Sequence, residues 1–145
     1  MLLRKKGFTL IELVMVLMLV AILAGVVTVY SKGTIRHTKE KATLASIDQL
    51  QKAAIQWSAT QAPPTFTGIS IDTIKAANFL PNGFTGLNPF GGAFTVAAVS
   101  SDSSKVVITA TAIPADAGSN LVNIFTQRTD SVSYDAGAQT LQVTL

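Results

Sequence analysis

Residues 6–13 read Lys-Gly-Phe-Thr-Leu-Ile-Glu-Leu and open the apolar stretch Phe8 to Tyr30, which decides the fold. Glu12 is the only strongly polar residue among these 23 positions. At about 1.5 Å per residue, a helix of this length extends roughly 34 Å, which is enough to cross a bilayer. The stretch therefore predicts a membrane-spanning helix.

The charges around this helix predict its orientation. Arg4, Lys5 and Lys6 directly precede it, whereas the segment after it is sparser in charge and mixed in sign. By the positive-inside rule, the N-terminus is cytoplasmic and the rest of the chain lies outside. A secretory signal peptide fits less well, because its apolar core spans about 7 to 15 residues and ends at a small-x-small cleavage site. A plain membrane anchor fits this pattern too.

Glu12 is the residue that a plain membrane anchor does not explain. A carboxylate near the centre of a membrane helix costs about 2.5 to 3.5 kcal/mol, somewhat less near an end, and usually has a partner. The apolar stretch contains no basic residue. Two interpretations follow. Either the Glu12 side chain extends back to the cytoplasmic interface, or its carboxylate pairs with a positively charged group from outside the apolar stretch.

The stretch Lys6-Gly7-Phe8-Thr9-Leu10-Ile11-Glu12-Leu13 resembles the class III signal of type IV prepilins and the related pseudopilins. The resemblance implies that a membrane aspartyl protease, the prepilin peptidase, cleaves between Gly7 and Phe8 and N-methylates the new amine of Phe8. It also implies that Glu12 pairs with the terminal amine of a neighbouring subunit. A paired charge is partly compensated whereas two isolated ones are not, so the pair favours one axial register.

The resemblance further implies the partners and the location. The precursor is held in the inner membrane and meets the assembly machinery there, and identical subunits then form an extracellular helical filament. The expected function is a structural filament subunit. The alternatives are a pseudopilin of type II secretion and a DNA-uptake pilin.

Composition argues against other functions. The chain has eleven basic and eight acidic residues, and Arg4, Lys5 and Lys6 account for the entire excess. There is no cysteine and only one histidine, His37. No catalytic triad, metal site or cofactor site is therefore expected, and the chain is not expected to be an enzyme. Direct nucleic-acid binding is not expected either, because basic residues such as Lys105 and Arg128 are scattered rather than clustered with aromatics.

The helix is expected to continue past the membrane. An apolar face recurs at helical spacing through Leu44, Ile47, Leu50, Ala54 and Trp57, of which Leu44, Ile47, Leu50 and Trp57 are the predicted head core. Proline then ends the helix at Pro63 and Pro64. The predicted organisation is a leader at 1–7, a polymerisation helix at 8–30, an amphipathic half at 31–62 and a globular head at 63–145.

The weakest part of the long helix is expected between Gly25 and Gly33. Glycine and the β-branched residues Val26 to Val29 lower helix propensity. We expect local extension of the helix here in a filament.

The head reads as α+β, with an antiparallel sheet packed on the long helix in the manner of a pilin fold. Helical segments are expected at Ile71 to Asn78 and within Pro114 to Gln127, and strands at Phe94 to Val99, Lys105 to Ala112, Ser131 to Tyr134 and Thr140 to Leu145. Turn signals place these strands in two hairpins.

This head is weakly similar to type IVb pilins in Asn88-Pro89-Phe90-Gly91-Gly92 and in Ile113-Pro114 before Asn120-Leu121. Those proteins usually carry a C-terminal cysteine pair, whose first member would fall near Gly118 or Ser119, and both cysteines are absent from this sequence. The short leader before Phe8 instead resembles that of the other pilin class, so the resemblance does not decide the subclass. The acidic residues Asp130 and Asp135 are too isolated for the calcium loop usual in major pseudopilins.

Overall fold

The computed structural model describes residues 8–145, with the side chains of 28–32 excluded. The chain divides into two compact units. The first ends at His37, and the second, called the C-terminal unit below, is Thr38–Leu145. Helix α1 is Leu10–Ser58 and is helical through both Gly25 and Gly33. It ends at Ser58 rather than at residue 62, because the chain turns there through Thr60 N donating to the Trp57 carbonyl.

The remaining elements follow the predicted order closely. They are α2 (Ile71–Ala76), β1 (Phe94–Val99), β2 (Asp102–Ala110), α3 (Ala115–Phe125), β3 (Ser131–Asp135) and β4 (Thr140–Thr144). Helix α2 begins with a capping box, in which Ser70 and Thr73 exchange side-chain-to-backbone hydrogen bonds. Strand β2 begins at Asp102, earlier than expected, so only a short turn separates it from β1.

The four strands form one antiparallel sheet in the order β1-β2-β4-β3. Both hairpins are present, and β2 joins them by pairing with β4, with Ile108 opposite Val143. The chain leaves the sheet after β2, forms α3, and returns through β3. The result is the predicted α+β fold, an arrangement consistent with a pilin fold.

The core of the C-terminal unit lies between the second half of α1 and the inner face of the sheet. Successive side chains of a strand point to opposite faces of the sheet, so every second side chain faces the core. The fully or nearly buried apolar residues from both sides form one cluster, which includes Ile47, Leu50, Ala53, Ala54 and Trp57 from α1 and Val96, Val106, Ile108, Leu141 and Val143 from the strands.

The segment from Asn88 to Gly92 forms a tight loop held by one buried side chain. The Asn88 Oδ1 accepts from the backbone amides of Phe90 (2.9 Å) and Gly92 (3.1 Å), and its Nδ2 donates to the Thr111 carbonyl at 2.6 Å. A Cβ at Gly92 would overlap the Thr111 carbonyl, so the loop requires glycine there. This motif therefore fastens the entry of β1 to the end of β2.

Helix α3 is fastened to β3 by a glycine and a tyrosine. Gly118 is buried, and a Cβ at this position would overlap the ring of Tyr134. The Tyr134 hydroxyl donates to the Ile113 carbonyl at 2.6 Å. The expected position of a type IVb cysteine thus holds a close helix-to-ring contact between α3 and β3.

Candidate assembly and processing site

The N-terminal part of α1 has the properties of a membrane span. Among the described residues, Leu10–Val27 is one candidate span, and its 18 residues are unburied. At about 1.5 Å per residue the segment extends roughly 27 Å, close to the ~30 Å thickness of a bilayer core. An apolar helix exposed on all sides needs lipid or other protein subunits around it.

A polar cluster marks the start of this helix. The Thr9 carbonyl accepts the Leu13 amide at 3.2 Å, and the Thr9 Oγ1 accepts the Glu12 amide at 3.3 Å. In return, the Glu12 Oε2 accepts from the Thr9 backbone amide at 3.2 Å and from the Thr9 hydroxyl at 3.1 Å. This is a capping box, with Thr9 at the N-cap and Glu12 three residues later.

The capping box changes the interpretation of Glu12 in the single chain. Its carboxylate already has two donors from Thr9, although it remains exposed beside apolar neighbours. Phe8 is 85% exposed, and it lines one shallow recess with Glu12, Leu13, Val16 and Leu17. Phe8 and Glu12 therefore lie on a common surface.

The other predicted site residues lie as follows. Gly7 is outside the described residues. A Cβ at Gly25 or Gly33 would meet no atom within 4 Å. Ile47 and Leu50 are fully buried and Trp57 is 8% exposed, whereas Leu44 is partly buried against the same cluster.

The charged residues that bear on the alternative functions have local partners. Lys105 Nζ lies 2.7 Å from Asp130 Oδ2, and this hydrogen bond raises the pKa of Lys105. Arg128 faces Asp48 with an N–O distance of 3.7 Å. The carboxylate of Asp135 accepts the amides of Gly137 and Ala138 within its own turn.

Thr9 is the site residue that the sequence reasoning missed. The signal was available, because Thr9-Leu10-Ile11-Glu12 has the spacing of a capping box before an apolar run. The contact between Gly118 and Tyr134 carried no comparable signal, because the two positions are 16 apart in the sequence.

Fold and site together fit a membrane-anchored precursor with an apolar N-terminal helix and an α+β head. Comparison with family models makes the class more specific: residues 2–28 match the prokaryotic N-terminal methylation motif, the class III signal peptide of type IV pilins. The motif indicates a type IV pilin-like or pseudopilin precursor, which suggests a structural subunit rather than an enzyme. Comparisons with curated proteins and with solved structures gave no match.

Proposed function

We propose that this protein is a structural subunit of a type IV pilus-like filament, cleaved after Gly7 and assembled through α1. The observation that supports this most directly is the combination of the methylation motif with an unburied apolar helix that carries one carboxylate near its start. A helix of this kind is surrounded by lipid in the precursor. Neighbouring helices replace the lipid in a filament.

Glu12 sets the register of assembly in this proposal. Cleavage creates a cationic amine on Phe8 in the same apolar region, and the Glu12 of one subunit pairs with the amine of the next. Each isolated charge there is costly, so the paired arrangement is favoured over apolar clustering in other registers. The precursor sits in the inner membrane with the leader in the cytoplasm, where it meets the prepilin peptidase and the assembly machinery.

Processing is tested on the mature chain. Cells with a prepilin peptidase should yield a chain that begins with N-methylated Phe8, and Gly7→Val should leave the leader attached. Mass spectrometry of assembled material gives the terminus directly. Met1 or Arg4 at that terminus would contradict the proposal.

The register role is tested with Glu12→Leu and Glu12→Gln. Both variants should insert and be cleaved but should accumulate in the membrane as unassembled subunits, because the Phe8 amine lacks its anionic partner. Glutamine keeps the size and an acceptor oxygen, so it isolates the effect of charge. Co-expression with wild type gives the measurement, namely the fraction of mutant subunits in sheared fibres. Normal filaments built wholly from Glu12→Leu subunits would exclude the register role.

The methylation motif is equally compatible with a pseudopilin of type II secretion. Imaging of sheared filaments separates the two functions. Long surface filaments with this chain as their main protein support a pilin, whereas secretion defects without such filaments in a deletion strain support a pseudopilin.

A further inference from the structure

We propose that Thr9 is a positioning residue for proteolytic processing, because its capping box begins α1 just after the bond that the peptidase cleaves. This inference rests on the proposed function, since it takes cleavage to fall between Gly7 and Phe8. It assigns to Thr9 and Glu12 a role before assembly, separate from the register role of Glu12.

The geometry places the helix boundary close to that bond. Leu10 is the first residue of α1, and Phe8 and Thr9 are not helical. Thr9 accepts the Glu12 amide through its hydroxyl and donates its own amide to the Glu12 carboxylate. The Thr9 amide is thus engaged by the Glu12 carboxylate, as an N-cap amide is in a capping box. Both hydrogen bonds specify Thr9 as the N-cap.

A helix boundary at this point matters to a protease. Inside a helix, amides and carbonyls are bonded to groups four residues away, so a protease must first unwind the segment to reach the bond. With Thr9 as the N-cap, the Phe8 backbone stays non-helical and open to the enzyme.

The leader sequence alone does not fix the position of this boundary. Leu2, Leu3, Arg4, Lys5 and Lys6 are all good helix formers, and Gly7 is the poorest helix former between them and α1. The cap favours the boundary at Thr9 over a helix that extends backward through Phe8. Positive charge near a helix N-terminus also disfavours this extension. Loss of the cap should therefore slow processing rather than prevent it.

The test uses the full-length precursor in membranes with a prepilin peptidase, and the readout is the initial rate of leader removal by mass spectrometry. Thr9→Val keeps the shape of the side chain but removes the hydroxyl, and we expect cleavage about five times slower, the ratio that a typical cap loss of about 1 kcal/mol gives. Thr9→Ser restores the hydroxyl and should return the rate to that of wild type.

Glu12→Gln provides a second test, because glutamine also completes a capping box. This variant should be cleaved at nearly the wild-type rate, whereas Glu12→Leu, which cannot accept the Thr9 amide, should be slowed to the extent of Thr9→Val. Equal rates for Thr9→Val and wild type would overturn the inference. So would a Thr9→Ser variant as slow as Thr9→Val. The proposed function fails separately, by a wild-type terminus other than Phe8 or by normal filaments of Glu12→Leu.

Discussion

Replacing Gly118 with alanine sets two effects of known size against each other. In the interior of a helix, alanine is favoured over glycine by about 0.8 to 1.0 kcal/mol. The new Cβ, however, would overlap the ring of Tyr134. Overpacking of this kind costs about 1 to 3 kcal/mol, and breaking the hydrogen bond from Tyr134 to the Ile113 carbonyl adds about 1 kcal/mol. The net expectation is a destabilisation of about 1 to 3 kcal/mol.

The ring cannot easily move aside to relieve this overlap. Tyr134 is paired with Leu141 across the β3–β4 hairpin, and its hydroxyl is bonded to the Ile113 carbonyl at 2.6 Å. Relief therefore requires either displacement of α3 or loss of the hydroxyl contact. Both reduce the packing between α3 and the sheet.

The assay is thermal unfolding of a soluble fragment comprising Thr38–Leu145, the residues of the C-terminal unit. A loss of 1 kcal/mol should lower the Tm of a domain of this size by about 4 to 8 °C. Ser119→Ala, an exposed neighbour on α3, is the matched control and should change the stability by less than about 0.5 kcal/mol. In a Tyr134→Ala background, Gly118→Ala should cost less than it does in the wild type, because the two positions are coupled. A Gly118→Ala fragment that melts at or above the wild-type Tm would refute the reasoning.

Three further predictions concern the head and the fibre. Trp57→Ala should destabilise the same fragment by about 3 to 5 kcal/mol in urea unfolding, since it empties a buried aromatic position; a loss below about 1 kcal/mol would show that Trp57 is not a core residue. Gly25→Ala combined with Gly33→Ala should stiffen the fibre, because both raise helix propensity where a Cβ meets no atom. Electron microscopy would measure this as a longer persistence length, and unbroken helix through both glycines in a wild-type filament map would contradict the expected extension. Hydrogen bonds from the Ser104 side chain and backbone lower the pKa of Asp102. The ionised Asp102 should therefore stabilise the fold at a pH above about 4, the ordinary pKa of an aspartate in the unfolded chain. This contribution should be lost as the pH falls through the lower pKa of Asp102 in the folded protein. Asp102→Asn should make stability less sensitive to acid, and an unchanged acid dependence would exclude this role.

The sequence by itself was sufficient for features that depend on local pattern. Phe8 to Tyr30 is apolar enough to define a span without knowledge of its neighbours, and the helical spacing of Ile47, Leu50 and Trp57 identifies a face that the structure buries. Alternation of side chains and turn residues predicted both hairpins. These patterns are readable because helices and strands have fixed periods.

Contacts between distant residues were decided only by the tertiary structure. The pairing of β2 with β4 unites the two hairpins, yet each hairpin is complete in its own local pattern and does not specify a neighbour. The hydrogen bond from Asn88 to the Thr111 carbonyl and the contact of Gly118 with the Tyr134 ring were likewise decided by the tertiary structure, because both depend on how closely separate elements approach. The end of α1 at Ser58 is a smaller instance: Pro63 and Pro64 limit how far a helix can run, but the backbone turn beyond Trp57 ends it earlier. Periodicity specifies which face of an element is buried, whereas strand order and close packing depend on the shapes that meet when those faces come together.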